Sequence, residues 1–208
     1  MMPLLFFRLK ALTIVFLLIC LAGCASSAPS RFYVLSPLVS SKAESQALKD
    51  EGCITIGIGP VELPAYLDRP QIVTRANENE LNLAEFDKWA EPLKDNFSRV
   101  LVENLSTLLY ADAISIFPWK GSTPIDYRVK VTVIRMDGKI GGNASLVARW
   151  AIFRENDRKM LLTRQSSYSE SLRSQSYKAL VSAQSRVIGD LSREIAEAIK
   201  GYAFSVDK

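Results

Sequence analysis

The stretch Tyr127-Arg-Val-Lys-Val-Thr-Val133 alternates apolar and polar side chains, and two similar runs follow it, Ser145-Leu-Val-Ala-Arg-Trp-Ala-Ile-Phe153 and Met160 to Ser171. A period of two is typical of a strand that buries one face. Turns rich in Gly, Asn and Asp at residues 137–143 and 155–158 separate the three runs. We therefore predict a three-stranded antiparallel meander.

Two amphipathic helices are predicted on either side of the meander in the sequence. The first begins near Pro92, a residue favoured at the first helical position, and the second spans Ser176 to Gly201. Each helix has only one apolar face, which must pack on another layer. We predict an α/β fold of α+β character, a single domain in which both helices pack on a mixed β-sheet. Shorter strands are predicted at residues 31–36, 54–58, 71–75, 80–84 and 113–117, with a hairpin turn at 77–79.

A proline-rich segment follows the strand that begins at Ile54. Gly59-Pro60 is expected to stop that strand, and the three prolines of residues 60–70 favour an ordered loop. Its apolar side chains cost little entropy to dock, so the loop is a candidate surface for a partner or ligand. The alternative is that they close the end of the protein's own core. The candidate partner-binding residues are Leu63, Pro64, Tyr66, Leu67 and Arg69.

The beginning of the chain has the order of a secretory signal: Arg8 and Lys10, an apolar run, and then Leu21-Ala-Gly-Cys24. The run is too short for the roughly 20 residues of a spanning helix. The last four residues are similar to the bacterial lipobox, in which the cysteine receives a diacylglyceryl group and an N-acyl chain. The alternative is an ordinary cleavage site with a chance cysteine. We predict a signal peptide at 1–23, lipid on Cys24, a short tether at 24–30 and one domain at 31–208.

Charge and cysteine content limit the other functions. Without residues 1–23 the formal charge is +2, from 24 basic and 22 acidic residues that are interspersed, which argues against nucleic-acid binding. Without residues 1–23, Cys53 is the one cysteine besides Cys24, which is predicted to carry the lipid, so no intramolecular disulfide is expected. It is more simply a buried apolar residue than a reactive thiol. An unpaired Cys53 and a Val/Ile-rich sheet permit a homo-oligomer without requiring one.

The sequence offers little to catalysis. It has no histidine, which excludes Ser-His and Cys-His pairs and histidine zinc sites. Carboxylate pairs such as Glu78 with Glu80 and Asp87 with Glu91 are expected to be solvated. The triplets that begin at Asn96, Asn104 and Asn143 match a glycosylation pattern by chance, and two of them fall inside a predicted helix. We expect no enzyme, no metal and no cofactor beyond the covalent lipid.

Four segments resemble the PqiC/YmbA group, the auxiliary lipoproteins of ABC-type transporters that are encoded with MCE-domain proteins. They are Phe32 to Leu35, Ile58 to Val73, Trp89 to Leu93, and Leu180 to Ala196, which includes the run Leu180 to Ser185. Each segment is weak alone, but their order after a lipobox is fairly specific.

The resemblance implies a non-catalytic subunit of an ABC/MCE-type system that moves lipid or hydrophobic solute between membranes. Its partner would be the MCE-domain protein of that system. Its location would be the periplasmic face of the outer membrane, in keeping with Ala25, rather than Asp, after the lipid cysteine. The main alternative is an independent carrier with a lipid-binding cavity between sheet and helices. An envelope enzyme would instead need a cleft with converging polar groups.

Overall fold

The computed structural model describes residues 8, 28–39, 54–109, 113–119 and 124–203. Within these residues the chain forms eight strands, one short 3-10 helix and two long α-helices. In chain order they are β1 (Arg31–Tyr33), β2 (Thr55–Glu62), the 3-10 helix (Ala65–Leu67), β3 (Gln71–Arg75), β4 (Leu81–Trp89), α1 (Leu93–Leu109), β5 (Ala113–Ile116), β6 (Tyr127–Gly138), β7 (Asn143–Arg154), β8 (Lys159–Ser171) and α2 (Tyr177–Ala203).

The larger sheet has five strands in the order β5-β2-β6-β7-β8. The last three form the predicted antiparallel meander, with register partners such as Val131 and Trp150. Strand β2 pairs in parallel with both β5 and β6. The sheet is therefore mixed, as the sequence predicts.

Both helices pack on this sheet and on each other, α1 beside β2 and β5, and α2 beside β6, β7 and β8. The apolar stripes meet the inner face of the sheet in one cluster, whose fully buried members include Phe97, Trp150 and Leu191. Burying a side chain of this kind contributes about 1.5–3 kcal/mol. The Ser176 hydroxyl accepts a hydrogen bond from the Ala179 amide at 3.2 Å and caps α2, which confirms one of the two predicted caps.

A smaller sheet of order β1-β4-β3 holds the remaining strands. The predicted hairpin is its β3–β4 pair, although β4 extends to Trp89, well beyond the predicted Ala84. Strand β1 adds to β4 in parallel. The α+β single-domain prediction is confirmed, with the strands divided between two sheets.

Strand β2 does not stop at Gly59-Pro60, so that prediction is wrong. The strand continues to Glu62, and its register with β6 shifts between Ile58 and Val61. A bulge lets a proline, which has no amide hydrogen, sit inside a central strand. Gly59 has a φ of 128°, and a Cβ there would lie 2.6 Å from the Phe117 Cβ, so this conformation and this close approach both require glycine.

Candidate functional site

The predicted lipid attachment site, Cys24, lies outside the described residues, as do most of the signal peptide and Cys53. The described chain starts again at residue 28, and its first strand follows at Arg31. Residues 31–38, called the N-terminal segment here, are therefore the part of the fold nearest to the predicted anchor. How this segment is held decides how the anchor would be joined to the domain.

Strand β1 is held by a buried carboxylate on β4. Arg31 donates two hydrogen bonds to Asp87, from Nε to Oδ1 at 2.8 Å and from Nη2 to Oδ2 at 2.7 Å. Tyr33 donates a third from its hydroxyl at 2.7 Å. Burial alone would raise the pKa of Asp87, but these hydrogen bonds and the positive charge of Arg31 outweigh it and hold the pKa below its usual range. Burial and the bond to Asp87 raise the pKa of Tyr33.

Beyond Tyr33 the chain leaves β4 and crosses the two helices. The amides of Leu35 and Leu38 donate to the side-chain oxygens of Asn96 and Asn104 on α1, at 2.8 and 2.7 Å. The amide of Ser36 donates to the Ser185 hydroxyl on α2 at 3.1 Å. These bonds replace a strand ladder, which explains why β1 ends at Tyr33 and not at the predicted Ser36.

The two asparagines are fully buried and have partners of their own. Asn104 donates to the Ser192 hydroxyl of α2 at 3.0 Å, and Ser192 in turn donates to the Ile188 carbonyl at 2.7 Å. Asn96 donates to the Glu91 carboxylate just before α1. A buried polar group that loses its partner costs about 1–3 kcal/mol, so this network holds the N-terminal segment firmly on the helices.

Sequence reasoning missed these residues. The prediction that Asp87 is solvated is wrong, because its side chain is buried in β4. Asn96 and Asn104, which stand out in the sequence only as the start of chance glycosylation triplets, are buried structural residues. One signal was available: both asparagines precede core residues of α1, Phe97 and Leu105, on an otherwise apolar face. A polar residue in that place needs a partner.

The candidate partner-binding loop lies between β2 and β3. Leu67 is 3% exposed and belongs to the core, as the core-closing alternative anticipated for it. Leu63, Pro64, Tyr66 and Arg69 are only partly buried and remain available at the surface. The Leu67 amide donates to the Pro64 carbonyl at 2.9 Å and closes the 3-10 turn that presents them.

The loop contains two buried polar atoms that make no hydrogen bond of good geometry within the described residues, the Tyr66 hydroxyl oxygen and the Arg69 Nε, although the Met136 backbone and the Arg75 side chain lie close enough to the hydroxyl to lower its pKa. Burial raises the pKa of Tyr66, and the negative charge of Asp137 on β6 raises it further. Asp137 itself accepts a hydrogen bond from Arg75 Nε at 2.7 Å, which ties the small sheet to β6. Unpartnered buried groups are uncommon in folded proteins, and the loop holds two of the three found among the described residues; the third is the Gln184 side-chain oxygen on α2.

Two clefts open at the surface of the described chain. One, of about 600 Å³, lies between the β3–β4 turn and the β6–β7 turn and includes Arg75, Arg135 and Asp137. The other, of about 410 Å³, lies between α1 and the edge strand β5 beside Pro60 and Phe117. The first lies apart from the packed interface of sheet and helices, and the second lies at the edge of that interface, where α1 meets β2 and β5.

The described ranges contain no cluster of three Cys, Asp or Glu side chains that could hold a metal ion. None of the helices in that part of the chain is long and apolar enough to cross a bilayer.

Known proteins of similar sequence and structure give this fold its context. The intermembrane transport lipoprotein PqiC of Escherichia coli (strain K12) is 26% identical over 180 residues, which are 86% of this chain and 92% of that protein. The crystal structure of protein XCC0632 from Xanthomonas campestris has the same fold, with a TM-score of 0.67 and 16% identity over 84% of this chain and 99% of that one. The crystal structure of an uncharacterized protein aligns equally well, at a TM-score of 0.67 and 18% identity over 83% of this chain and 99% of the other.

A family model described as an ABC-type transport auxiliary lipoprotein component matches residues 33–196, which run from the last residue of β1 into α2. This agrees with the resemblance carried by the four sequence segments. The chain therefore belongs to the family of auxiliary lipoprotein components of ABC-type transporters, the PqiC/YmbA group.

Proposed function

We propose that this protein is a lipid-anchored, non-catalytic subunit of an ABC/MCE-type system that moves lipid or another hydrophobic solute between the two membranes. It would sit on the periplasmic face of the outer membrane and bind the MCE-domain protein of that system. The observation that carries the proposal is the family match over residues 33–196, together with likeness to a protein named for intermembrane transport.

The N-terminal segment supports the anchoring role. A lipid on Cys24 with further acylation holds a protein to a bilayer almost permanently, and the tether of residues 24–30 is short. Arg31, Leu35 and Leu38 are bonded to β4 and α1, so the attachment is joined to the core of the domain. Such an arrangement suits a subunit that holds a position in an assembly.

The packed interior favours a subunit over an independent carrier. A carrier needs a cavity between sheet and helices, but Ile58, Phe97 and Trp150 on those layers are at most 1% exposed and pack together. The clefts described above are open at the surface. Protein purified without partners should therefore bring down no stoichiometric lipid, which mass spectrometry would measure.

The loop of Leu63, Pro64, Tyr66 and Arg69 is the surface that we propose for the MCE partner. Arg69 Nε and the Tyr66 hydroxyl are buried and make no good hydrogen bond within the described residues, so binding would have to shift the loop to bring acceptors to them. This gives a single-atom test. Tyr66→Phe should leave the melting temperature unchanged or higher, because it removes an unsatisfied buried group, while it weakens partner binding about tenfold, the equivalent of one hydrogen bond.

Tyr202→Phe is the matched control. The Tyr202 hydroxyl donates to the Leu161 carbonyl at 3.1 Å, away from the loop, so its loss should lower stability and leave partner binding unchanged. Binding would be measured by co-purification and titration with the MCE-domain protein. If Tyr66→Phe binds as well as the wild type, the loop is not the partner site. If neither the wild type nor Tyr66→Phe binds the MCE-domain protein, the proposed MCE partnership itself is wrong.

A further inference from the structure

The outer side of β1 exposes apolar side chains next to the predicted anchor. Phe32 is 64% exposed and Val34 is 47% exposed, whereas Tyr33 and Leu35 between and after them face the interior. This alternation places Phe32 and Val34 on the same outward face of an extended segment. Large apolar side chains that lie together on a surface often mark a contact with another molecule or with a membrane.

A basic side chain shares this face. Phe32 is the register partner of Lys88, just as Arg31 on the inner face is the partner of Asp87. Lys88 is partly exposed and forms no ion pair with any residue that the structure describes. We call Phe32, Val34 and Lys88 the β1 patch. An aromatic ring, an aliphatic side chain and a free ammonium group suit the boundary between headgroups and acyl chains.

The short stretch of chain between Cys24 and the β1 patch favours a membrane over any other occupant of the patch. Phe32 lies eight positions after Cys24, and an extended chain spans at most about 3.6 Å per residue, so Phe32 stays within about 29 Å of Cys24. A weak contact becomes populated under such confinement, because the anchor keeps the local concentration of bilayer high. Other large apolar side chains are also exposed, among them Val39, Leu83 on β4, Ile116 on β5 and Met160 on β8, but none of these is on β1 or is a register partner of it.

We infer that the β1 patch is a second, direct contact with the lipid surface, and that it sets the orientation of the domain on the bilayer. This inference rests on the proposed anchoring of Cys24. With β1 against the membrane and the N-terminal segment bonded to α1 and α2, the anchor and the patch together define one face of the domain as the membrane face.

The test uses the full-length protein, lipidated and reconstituted into vesicles of phosphatidylethanolamine and phosphatidylglycerol that carry a quencher on the acyl chains. In a Cys53→Ser background, a fluorophore is placed at residue 34 by Val34→Cys. Matched positions of similar exposure, Ile116→Cys at 45% and Met160→Cys at 54%, serve as controls. We expect quenching at residue 34 to exceed that at either control position at least threefold.

A second variant tests the patch without touching the labelled site. Phe32→Ser combined with Lys88→Ser should at least halve the quenching at residue 34, while circular dichroism shows an unchanged fold and flotation with the vesicles persists. Replacing anionic phosphatidylglycerol by zwitterionic phosphatidylcholine should weaken the quenching, because the surface then attracts the Lys88 ammonium group less strongly. Equal quenching at residues 34, 116 and 160 in protein that floats overturns the inference but leaves the anchor intact. Protein that does not float shows instead that the anchoring itself is wrong.

Discussion

Asp87 shows how much depends on one residue. It is a buried carboxylate that accepts three hydrogen bonds from β1, and they are its compensation for lost hydration. The pKa of Asp87 is lower in the folded protein than in the unfolded chain, where an ordinary aspartate has a pKa of about 3.9. The folded state therefore binds fewer protons. The stabilisation is nearly complete above about pH 5 and is lost as the pH falls through the lower, folded-state pKa.

Asp87→Asn should consequently lower the melting temperature at pH 7 and flatten its fall between pH 5 and pH 3. A partial fall will remain, because Glu62, Glu91, Asp157 and Glu194 also have lowered pKa values. Thermal melting by circular dichroism over this pH range measures both effects. Asp68→Asn, at an exposed position, is the control and should keep the wild-type profile. If the melting temperature of Asp87→Asn falls with pH as steeply as that of the wild type, β1 is not held by this carboxylate.

Helix α2 has one position where the N-terminal segment comes very close. A Cβ on Gly189 would lie 2.6 Å from Leu38 Cδ2 and 3.3 Å from its Cγ. Glycine in a helix costs up to about 1 kcal/mol relative to alanine, so its presence here reflects the need for space. The helix and the crossing segment are thus fitted to each other.

Gly189→Leu should force Leu38 away and destabilise the protein by about 1–3 kcal/mol, a usual cost of overpacking. Hydrogen exchange of the Leu38 amide should rise, because its bond to Asn104 spans the same contact. Gly201→Leu near the end of the same helix is the matched control: a Cβ there meets nothing within 4 Å, so stability should stay the same or increase slightly. Urea unfolding compares the two variants. If Gly189→Leu and Gly201→Leu change the free energy of unfolding equally, helix propensity explains the effect at Gly189 and the crossing segment does not.

At the scale of the whole molecule, position in the envelope is the property that we expect the protein to need most. Ala25→Asp should retain the lipoprotein in the inner membrane under the sorting rule of enteric bacteria, with the domain folded as before. Membrane fractionation with detection of the protein measures this, and Ala25→Ser is the control that should still reach the outer membrane. Outer-membrane recovery of the Asp variant would contradict the proposed sorting.

The fold is also a single unit at this scale, because the two sheets share one core. Val73 of the small sheet and Val131 of the large sheet belong to the same buried cluster as both helices. The bond from Arg75 to Asp137 joins the sheets at their ends. The anchor-proximal strand and the candidate partner loop are therefore carried by one body.

The sequence by itself determined the meander, the two helices and the hairpin, since periodicity, caps and turns depend on residues close together in the chain. The family was indicated separately, by the resemblance of four segments, and the family match over residues 33–196 shows it. The sequence also predicted the lipid cysteine, which lies outside the described residues. Only the tertiary structure decided that β2 runs through Gly59-Pro60, that the strands form two sheets, and that Asp87, Asn96 and Asn104 hold the N-terminal segment. Their partners lie 56, 61 and 66 residues away in Arg31, Leu35 and Leu38. No local pattern encodes such a distance, because a buried polar residue is paired by packing and not by its neighbours in sequence.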